Sequence, residues 1–364
     1  MRAAGSESNP RPAMAPPRKG ARETAAYITH RYAVRFSFRL RAGEGPVLVG
    51  SGKRRIARLA PWSESDLMVS RKARPRTPGL HPVIARYDRP GRFYLLATVI
   101  PWGLWLAAGY LSRQSDQGAT AVAVLGLLGL LTPMGVAWVM VHRDPVLVRD
   151  VRRRLLSVHR VRPGFALLAV GLLPVSLIAA TAVSLLLGYP PEQFLWRGGP
   201  SFVGGLVPGW VALTLAPIVE ELAWHSYGTD ALASRWTIWR SSMVFGVIWA
   251  FWHLPLATIQ GYYQSEVVEA GVLAMVTFLG SVFPFVILMN WIYYRSGRSI
   301  LVAVLFHLAA NLGNEALRTH PDTKAIQAAL LVFLTVIVVW WDRDLFFGRP
   351  GCPPLPDEPS PWAR

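Results

Sequence analysis

The chain has 364 residues, of which 52% are hydrophobic and only 16% are charged, a balance typical of a membrane protein. Its one cysteine, Cys352, lies in a Pro-rich tail, which excludes a disulfide framework, a cysteine-rich metal site and a cysteine nucleophile. The net charge is +17, yet the sequence contains no recognisable nucleic-acid-binding module, so we expect no nucleic-acid partner.

Most of the positive charge lies at the N-terminus. Residues 1–92 hold 20 Lys or Arg and 6 Asp or Glu, which leaves a net charge of +3 for the rest of the chain. Because this segment is rich in Pro, Gly and Arg and has little periodicity, we predict a mostly disordered cytoplasmic extension that contacts anionic lipid. Weak alternation over 31–41 is compatible with a short strand. The extension lacks the apolar region of a signal peptide, and Met68 is an alternative start of the chain.

Eight apolar segments follow at regular intervals and predict an all-α polytopic membrane domain over 93–345, with a motif core at 205–315 and a Pro-rich tail over 346–364. Several segments are near 20 residues, which is enough for a helix to cross a hydrocarbon core about 30 Å thick. The fifth and seventh are shorter and contain polar residues, as expected of helices that line a site. The eight predicted spans are 93–111, 119–141, 165–187, 202–224, 241–258, 272–294, 299–316 and 325–341.

Arginine and lysine are distributed unevenly between the loops, which predicts the orientation in the membrane. The loop 142–163 carries seven arginines, whereas the loop 259–271 has neither Arg nor Lys. Both termini are therefore predicted to be cytoplasmic. The arginines at 149–154 are interpreted as part of a lipid-facing loop that sets this topology, rather than as a binding site. The Arg-, Ala-, Gly- and Pro-rich composition indicates a bacterial plasma membrane.

Three of the apolar segments carry polar residues at membrane depth, where a charged side chain costs about 2.5–3.5 kcal/mol on insertion scales. Each segment contains an i,i+4 pair, which places two side chains on one helix face. We therefore predict that the three helices meet at one polar site. Its candidate residues are Glu220, Glu221 and His225 in the fourth segment, Trp249 and His253 in the fifth, and His307 and Asn311 in the seventh.

Carboxylates, histidines and an amide together can hydrolyse a peptide bond with water, without a Ser or Cys nucleophile. A carboxylate partly removed from water can act as a general base, and a histidine can orient the water or relay its proton. Another histidine and an Asn amide can donate hydrogen bonds to a developing oxyanion. The same residue types can bind zinc, although the sequence contains no His-Glu-x-x-His motif. We favour metal-free chemistry without a cofactor, and a metal site stays open as the alternative.

The three motifs, in this order and on hydrophobic segments, resemble those of the CAAX protease and bacteriocin-processing (CPBP, or Abi) family of intramembrane glutamic endopeptidases. The family includes the eight-helix type II CAAX prenyl endopeptidases. The resemblance implies that Glu220 activates the attacking water with His253 as its partner. It also implies that His307 and Asn311 donate to the oxyanion, with Glu221 in support.

Two positions depart from the family pattern. His225 stands where family members usually have Arg, and Trp249 stands where they usually have Phe. An Arg is a permanent cation that can bind Glu221 through two hydrogen bonds, whereas a neutral His cannot. The substitution therefore bears on the ionisation of this carboxylate and on activity. Trp249 keeps an aromatic wall.

The sequence thus predicts an intramembrane glutamic-type endopeptidase that hydrolyses a peptide bond of a membrane-associated or lipidated peptide or protein. Two alternatives stay open. One is a non-proteolytic scaffold or immunity protein of the same family, and the other is a metal-dependent membrane hydrolase or an ion-translocating protein. Asn290 is interpreted as a packing residue or a helix cap. The sequence identifies neither the substrate nor the oligomeric state.

Overall fold

The computed structural model describes residues 81–114, 118–156, 161–200 and 208–350. Within these ranges the chain is helical, with turns and one isolated antiparallel bridge between Trp196 and Leu317. The predictions for the N-terminal extension as far as residue 80, which include Met68 and the strand at 31–41, lie outside the described residues. The same holds for the tail from residue 351 onward.

The helices reproduce the predicted order of spans, and the all-α membrane fold is confirmed. Among the described residues, six helical segments are long and apolar enough to cross a membrane, namely α1, α2, α4, α7 with the 3₁₀ turn after it, α9 and α11 as defined below. The predicted fourth and seventh spans correspond to shorter helices of 15 and 17 residues, α5 and α10. In chain order the α-helices are α1 (Pro90–Leu111), α2 (Ala119–Val141), α3 (Pro145–Leu156), α4 (Pro163–Leu186), α5 (Gly209–Ala223), α6 (Thr229–Ala233), α7 (Ile238–Trp252), α8 (Tyr263–Glu269), α9 (Val272–Arg295), α10 (Ile300–Ala316), α11 (Pro321–Trp341) and α12 (Arg343–Phe347).

Local sequence explains where several helices begin. Pro90, Pro163 and Pro321 lie in the first turns of α1, α4 and α11, where the N–H that proline lacks has no intrahelical partner. Thr237 and Ser299 cap α7 and α10, since each side chain accepts a hydrogen bond from a backbone N–H three residues later. The two helices that carry the later polar motifs therefore start at defined residues.

The segment that carries the carboxylates does not end with α5. It continues into a π-helix, Trp224–Gly228, and then into α6. Single π-turns are rare and often lie at functional sites, because they re-aim side chains and leave carbonyls to other partners. Glycine is required at the end of this turn, since a Cβ on Gly228 would lie 2.7 Å from Cε1 of Phe93 and 2.9 Å from the hydroxyl of Tyr94.

Helix α3 corrects the interpretation of the arginines at 149–154. These residues form part of a helix rather than a loop, and the side chain of Arg154 is buried, with the residue 5% exposed. Arg149, Arg152 and Arg153 are exposed. The helical period points one arginine of the cluster toward the protein while the others face outward. The prediction of a lipid-facing loop was therefore wrong for Arg154.

Aromatic side chains form the core between α5, the π-helix and α7. Trp224, Phe245 and Trp252 are at most 1% exposed. The ring of Trp224 lies 5.5 Å from the rings of both Phe245 and Trp252. Edge-on and tilted aromatic contacts at this distance stabilise packing beyond the area that they bury. They fix the π-helix, which continues α5, against α7, and this sets the position of the first polar motif relative to the second.

Candidate active site

Glu220 is held through one oxygen of its carboxylate. The residue lies on α5 and is 6% exposed. Its Oε2 accepts a hydrogen bond of 3.0 Å from the indole N–H of Trp249 and a longer contact of 3.5 Å from the indole N–H of Trp224. Within the part of the chain that the structure describes, neither indole bonds Oε1. The second oxygen is therefore left for another partner.

Glu221 differs from its neighbour because both of its oxygens are bonded to histidines. Its Oε1 accepts from Nδ1 of His307 at 2.7 Å, and its Oε2 forms a short hydrogen bond with Nδ1 of His225. The side chains of Glu221 and His225 are fully buried. Charge-assisted bonds to both oxygens fix this carboxylate in place. Of the two adjacent glutamates, Glu221 is therefore held through both oxygens, whereas the indoles hold Glu220 through Oε2 and leave Oε1 for another partner.

Trp249 connects the three polar motifs. Besides its bond to Glu220, its ring lies 5.2 Å from the ring of His253 and 5.4 Å from the ring of His307. The backbone carbonyl of Trp249 also lies 2.7 Å from Nδ1 of His253. Because a carbonyl only accepts, Nδ1 of His253 is the nitrogen that donates, and Nε2 of the neutral ring is an acceptor.

Asn311 is the predicted site residue with the fewest contacts. It lies one turn after His307 on the same face of α10 and is half-buried. The structure describes no hydrogen bond for its side chain. Six of the predicted residues are thus joined by hydrogen bonds or ring contacts, while Asn311 shares only a helix face with one of them. The joined residues are Glu220, Glu221, His225, Trp249, His253 and His307.

The interpretation of Asn290 as packing or a cap missed its role in this network. Asn290 is fully buried on α9, and its Oδ1 lies 3.0 Å from Nε2 of His225. Its amide nitrogen donates to Oγ of Ser242 on α7 at 2.8 Å. The signal in the sequence was an amide inside an apolar span, since such polar residues usually face the bundle interior. The sequence did not show which residue it would meet.

The chain resembles known proteins over the region that contains the candidate site. Residues 202–313, which contain every predicted site residue, match the family model described as "Type II CAAX prenyl endopeptidase Rce1-like". The chain is also 29% identical over 272 residues to the protein named CAAX prenyl protease 2 of Methanococcus maripaludis, and the aligned region covers 74% of this chain and all of that protein.

The chain is therefore similar to this family over the segment that contains the candidate site. It is a membrane peptidase, as the three motifs predicted. The family match covers the segment from before α5 to the end of the third motif, so it includes the π-helix and α7. The glutamates, the histidines and the aromatic side chains around them are therefore all part of the matched region.

Each of the three histidines has its Nδ1 next to a protein oxygen. Nδ1 of His225 and of His307 face Glu221, and Nδ1 of His253 faces a carbonyl. Among the described residues, no group of three or more His, Cys, Asp or Glu side chains is arranged to hold a metal ion.

A second buried polar cluster, here named the arginine cluster, consists of Asp150, Arg154, Asp230 and Arg298. Arg154 lies 2.9 Å from Asp150 and 3.1 Å from Asp230, and Arg298 lies 3.0 Å and 2.5 Å from the same two carboxylates. Each of the two arginines is thus paired with both aspartates. Burial opposes the ionised form of Asp150, but the charges of Arg154 and Arg298 and hydrogen bonds outweigh it and lower the pKa of Asp150 to about 2.

The arginine cluster is bonded directly to the π-helix. Arg154 donates to the backbone carbonyls of His225 at 2.6 Å and Ser226 at 2.9 Å. Arg298 belongs to the turn between α9 and α10 and has a φ of 64°, which is unusual for a residue with a side chain. Its two ion pairs hold it in that conformation. Helix α3 and this turn therefore support the segment that presents His225 to Glu221.

Proposed function

We propose that this membrane peptidase is a glutamic-type endopeptidase, which cleaves a membrane-associated or lipidated peptide by means of a water molecule activated by Glu220. The observation that carries the proposal is the unequal environment of the two adjacent glutamates. Glu221 is bonded through both oxygens, whereas in the described part of the chain the indole hydrogen bonds to Glu220 reach only Oε2. Oε1 of Glu220 is thus the carboxylate oxygen suited to accept a proton from water.

His253 is the proposed second partner of the water. Its Nδ1 donates to the carbonyl of Trp249, so Nε2 of the neutral ring accepts a hydrogen bond. In the proposed reaction Glu220 takes a proton from the water, and the water oxygen forms a bond to the carbonyl carbon of the peptide. His253 orients the water for this attack, and the glutamate then gives its proton to the amine nitrogen as the C–N bond breaks.

The oxyanion of the tetrahedral intermediate is proposed to accept hydrogen bonds from His307 and Asn311. Nδ1 of His307 is bonded to Glu221, so Nε2 is the nitrogen left to donate, and it does so when the ring carries both protons. Asn311, one turn further along α10, supplies an amide N–H from the same helix face. Fixed donors of this kind stabilise the transition state strongly, because they need no reorientation during the reaction.

The proposed substrate is a lipidated or membrane-associated peptide, in keeping with the name of the Methanococcus maripaludis relative, a CAAX prenyl protease. The glutamates and the proposed oxyanion donors lie on two short helices, α5 and α10, in a chain that also has six helical segments long enough to span the membrane within the described residues. A lipid anchor would keep the peptide at the membrane and raise its local concentration near these helices.

The decisive experiment is cleavage of a library of prenylated, acylated and unlipidated C-terminal peptides by the purified protein in lipid nanodiscs. We expect Glu220→Gln to lower kcat by about 10²–10⁴-fold, the usual contribution of a general base. Glu192→Gln, a matched change of an exposed glutamate, should leave kcat unchanged. Cleavage by Glu220→Gln at the wild-type rate would overturn the proposal.

Two further arms of this experiment address the alternatives. A folded wild-type protein that cleaves no peptide of the library would favour the non-proteolytic scaffold. Activity that is lost with a chelator and restored by added zinc would favour the metal-dependent hydrolase. Under our proposal the chelator leaves kcat unchanged.

We also propose that both termini face the cytoplasm. The support is the arginine-rich connection 142–163, which includes α3, and the absence of Arg and Lys from 259–271. The chain has one cysteine, Cys352 near the C-terminus, which makes the test direct. A membrane-impermeant maleimide should label Cys352 in inverted membrane vesicles and not in intact cells, with detergent-permeabilised cells as the positive control. Labelling of Cys352 in intact cells would show that the C-terminus faces away from the cytoplasm and would contradict this proposal.

A further inference from the structure

His225 is enclosed by hydrogen-bonding partners on both sides of its ring. Nδ1 faces Oε2 of Glu221, and Nε2 lies 3.0 Å from Oδ1 of Asn290. Both His225 and Asn290 are fully buried, so water does not satisfy either group. The protonation of the ring therefore depends on whether each of these two partners accepts a hydrogen bond from the ring or donates one to it.

Ser242 determines which end of the Asn290 amide faces His225. Oγ of Ser242 lies 2.8 Å from the backbone carbonyl of Ile238, and the hydroxyl proton must lie between these two oxygens. Oγ then has only lone pairs to offer to Asn290, so it accepts from the amide nitrogen at 2.8 Å. The carbonyl oxygen of the amide consequently faces His225.

Two acceptors thus face the two ring nitrogens. Oδ1 of Asn290 requires a proton on Nε2, and the carboxylate of Glu221, whose other oxygen accepts from His307, requires a proton on Nδ1. A neutral histidine has only one of these protons and would leave a bare nitrogen against an oxygen. We propose that Asn290, oriented by Ser242, is a positioning residue that holds His225 as an imidazolium paired with Glu221. This inference deepens the proposed function and rests on it.

The surroundings of His225 favour a cation. A neutral ring would leave two adjacent buried carboxylates opposite a single histidine, His307, and an uncompensated buried charge is costly. Arg154 bonds the carbonyl of His225 rather than its ring, and its own charge is balanced within the arginine cluster. The titratable and charged groups near His225 are Glu220 and Glu221 on α5, Arg154 on α3, Asp230 on α6, Tyr293 on α9 and His307 on α10.

A double-mutant cycle in full-length protein in nanodiscs tests this role. Asn290→Leu removes the acceptor at Nε2, so we expect it to lower kcat for peptide cleavage by about tenfold when residue 225 is His. A guanidinium keeps its charge without that acceptor. In the His225→Arg background, Asn290→Leu should therefore change kcat by less than about twofold. Equal losses in the two backgrounds would mean that Asn290 only packs, and would overturn the proposal.

Ser242 and its neighbour provide a matched pair of variants. Both serines are 1% exposed on α7, but Oγ of Ser241 has no hydrogen-bond partner in the described structure. Ser242→Ala should lower kcat in the wild-type background and leave it unchanged in His225→Arg. Ser241→Ala should leave kcat unchanged in both. A loss with Ser241→Ala as large as that with Ser242→Ala would also count against the proposal.

A spectroscopic measurement separates this inference from the proposed catalytic mechanism. In protein with ¹⁵N-labelled histidine in lipid, the His225 signals are identified by their absence in His225→Gln. We expect two protonated ring nitrogens at neutral pH in the wild type and only one in Asn290→Leu. One bare nitrogen in the wild type would overturn the inference even if Glu220→Gln is inactive. Activity of Glu220→Gln would instead overturn the proposed function and leave the spectroscopic result standing.

Discussion

The described part of the protein has two polar clusters that each join acidic side chains to basic ones, and the clusters differ in the type of basic residue. In the arginine cluster, Arg154 and Arg298 face Asp150 and Asp230. In the site, His225 and His307 bond the two oxygens of Glu221, which lies beside Glu220 on α5. The clusters meet at His225, whose ring bonds Glu221 and whose carbonyl accepts from Arg154.

The two clusters differ in whether their basic side chains can lose their charge. An arginine stays charged at every accessible pH and donates through a rigid planar fork, which suits it to hold helices in a fixed arrangement. A histidine can gain or lose a proton near neutral pH, which suits it to a site where protons move. The arginine cluster thus serves the fold, and the histidine cluster, under our proposal, serves the reaction. Variants in one cluster should mainly change stability, and variants in the other should mainly change turnover.

The largest effect should come from breaking the arginine cluster. Arg154→Met leaves Asp150 and Asp230 with a single positive partner, and an unpaired buried charge costs about 3–5 kcal/mol. We expect the free energy of unfolding in mild detergent to fall by about that amount. Arg152→Met, an exposed position on the same helix, is the control and should change stability little. Equal stability of the two variants would show that the cluster does not support the fold.

The matching change in the site should affect turnover and not stability. Asn311→Leu removes a proposed oxyanion donor that has no hydrogen bond to lose in the described structure. We expect kcat to fall by about 10²–10³-fold, equivalent to about 2.7–4 kcal/mol of transition-state stabilisation. The free energy of unfolding should stay at the wild-type value. An unchanged kcat would remove Asn311 from the proposed mechanism.

The three motifs could be recognised in the sequence because they are local. An i,i+4 pair on a helix places two side chains on one face whatever the rest of the chain does, so Glu221 with His225 and His307 with Asn311 were readable directly. The eight apolar spans could also be recognised, since a long run of apolar residues is stable only in a membrane or in a protein core. Within the described residues each predicted span coincides with a helix, and two of these helices are short.

What the sequence missed depends on pairs of residues far apart in the chain. Asn290 meets His225 across 65 residues, and Arg154 meets the carbonyls of the π-helix across more than 70. No local period reports such contacts. The arginines at 149–154 also have two different roles. As a basic segment they indicate the topology, but one of them, Arg154, is buried. The π-helix has no simple sequence signature either.

The junction between the clusters offers a smaller perturbation. Gly228→Ala places a methyl group 2.7 Å from Cε1 of Phe93, so the π-helix or the ring must shift. Overpacking of this kind costs about 1–3 kcal/mol. Because the π-helix carries His225 toward Glu221, we expect kcat to fall as well as stability. Gly171→Ala on α4, where a Cβ meets nothing within 4 Å, is the matched control and should lower neither quantity. A loss of stability without any loss of kcat would show that the two clusters are mechanically independent.

The smallest effect should appear only in acid. The pKa of Asp150 is lowered from 3.8 to about 2 in the folded protein, so its ionised form contributes stability above the pKa of the unfolded chain and loses it as the pH falls toward 2. The contribution is about 2 kcal/mol by the usual conversion of a pKa difference. Asp150→Asn does not titrate, so its stability deficit relative to the wild type should shrink by about 2 kcal/mol between pH 5 and pH 2.

This acid measurement also tests the permanence of the charges in the arginine cluster. The exposed Asp344→Asn serves as the control for general effects of acid on carboxylates. Since arginines do not titrate, no second change in the deficit of Asp150→Asn should appear between pH 5 and pH 9. A deficit that changes in that range would mean that a group titrating near neutral pH is coupled to Asp150. The stability of the arginine cluster would then depend on a titrating group. The distinction between permanent charges in that cluster and titrating groups in the site would be wrong.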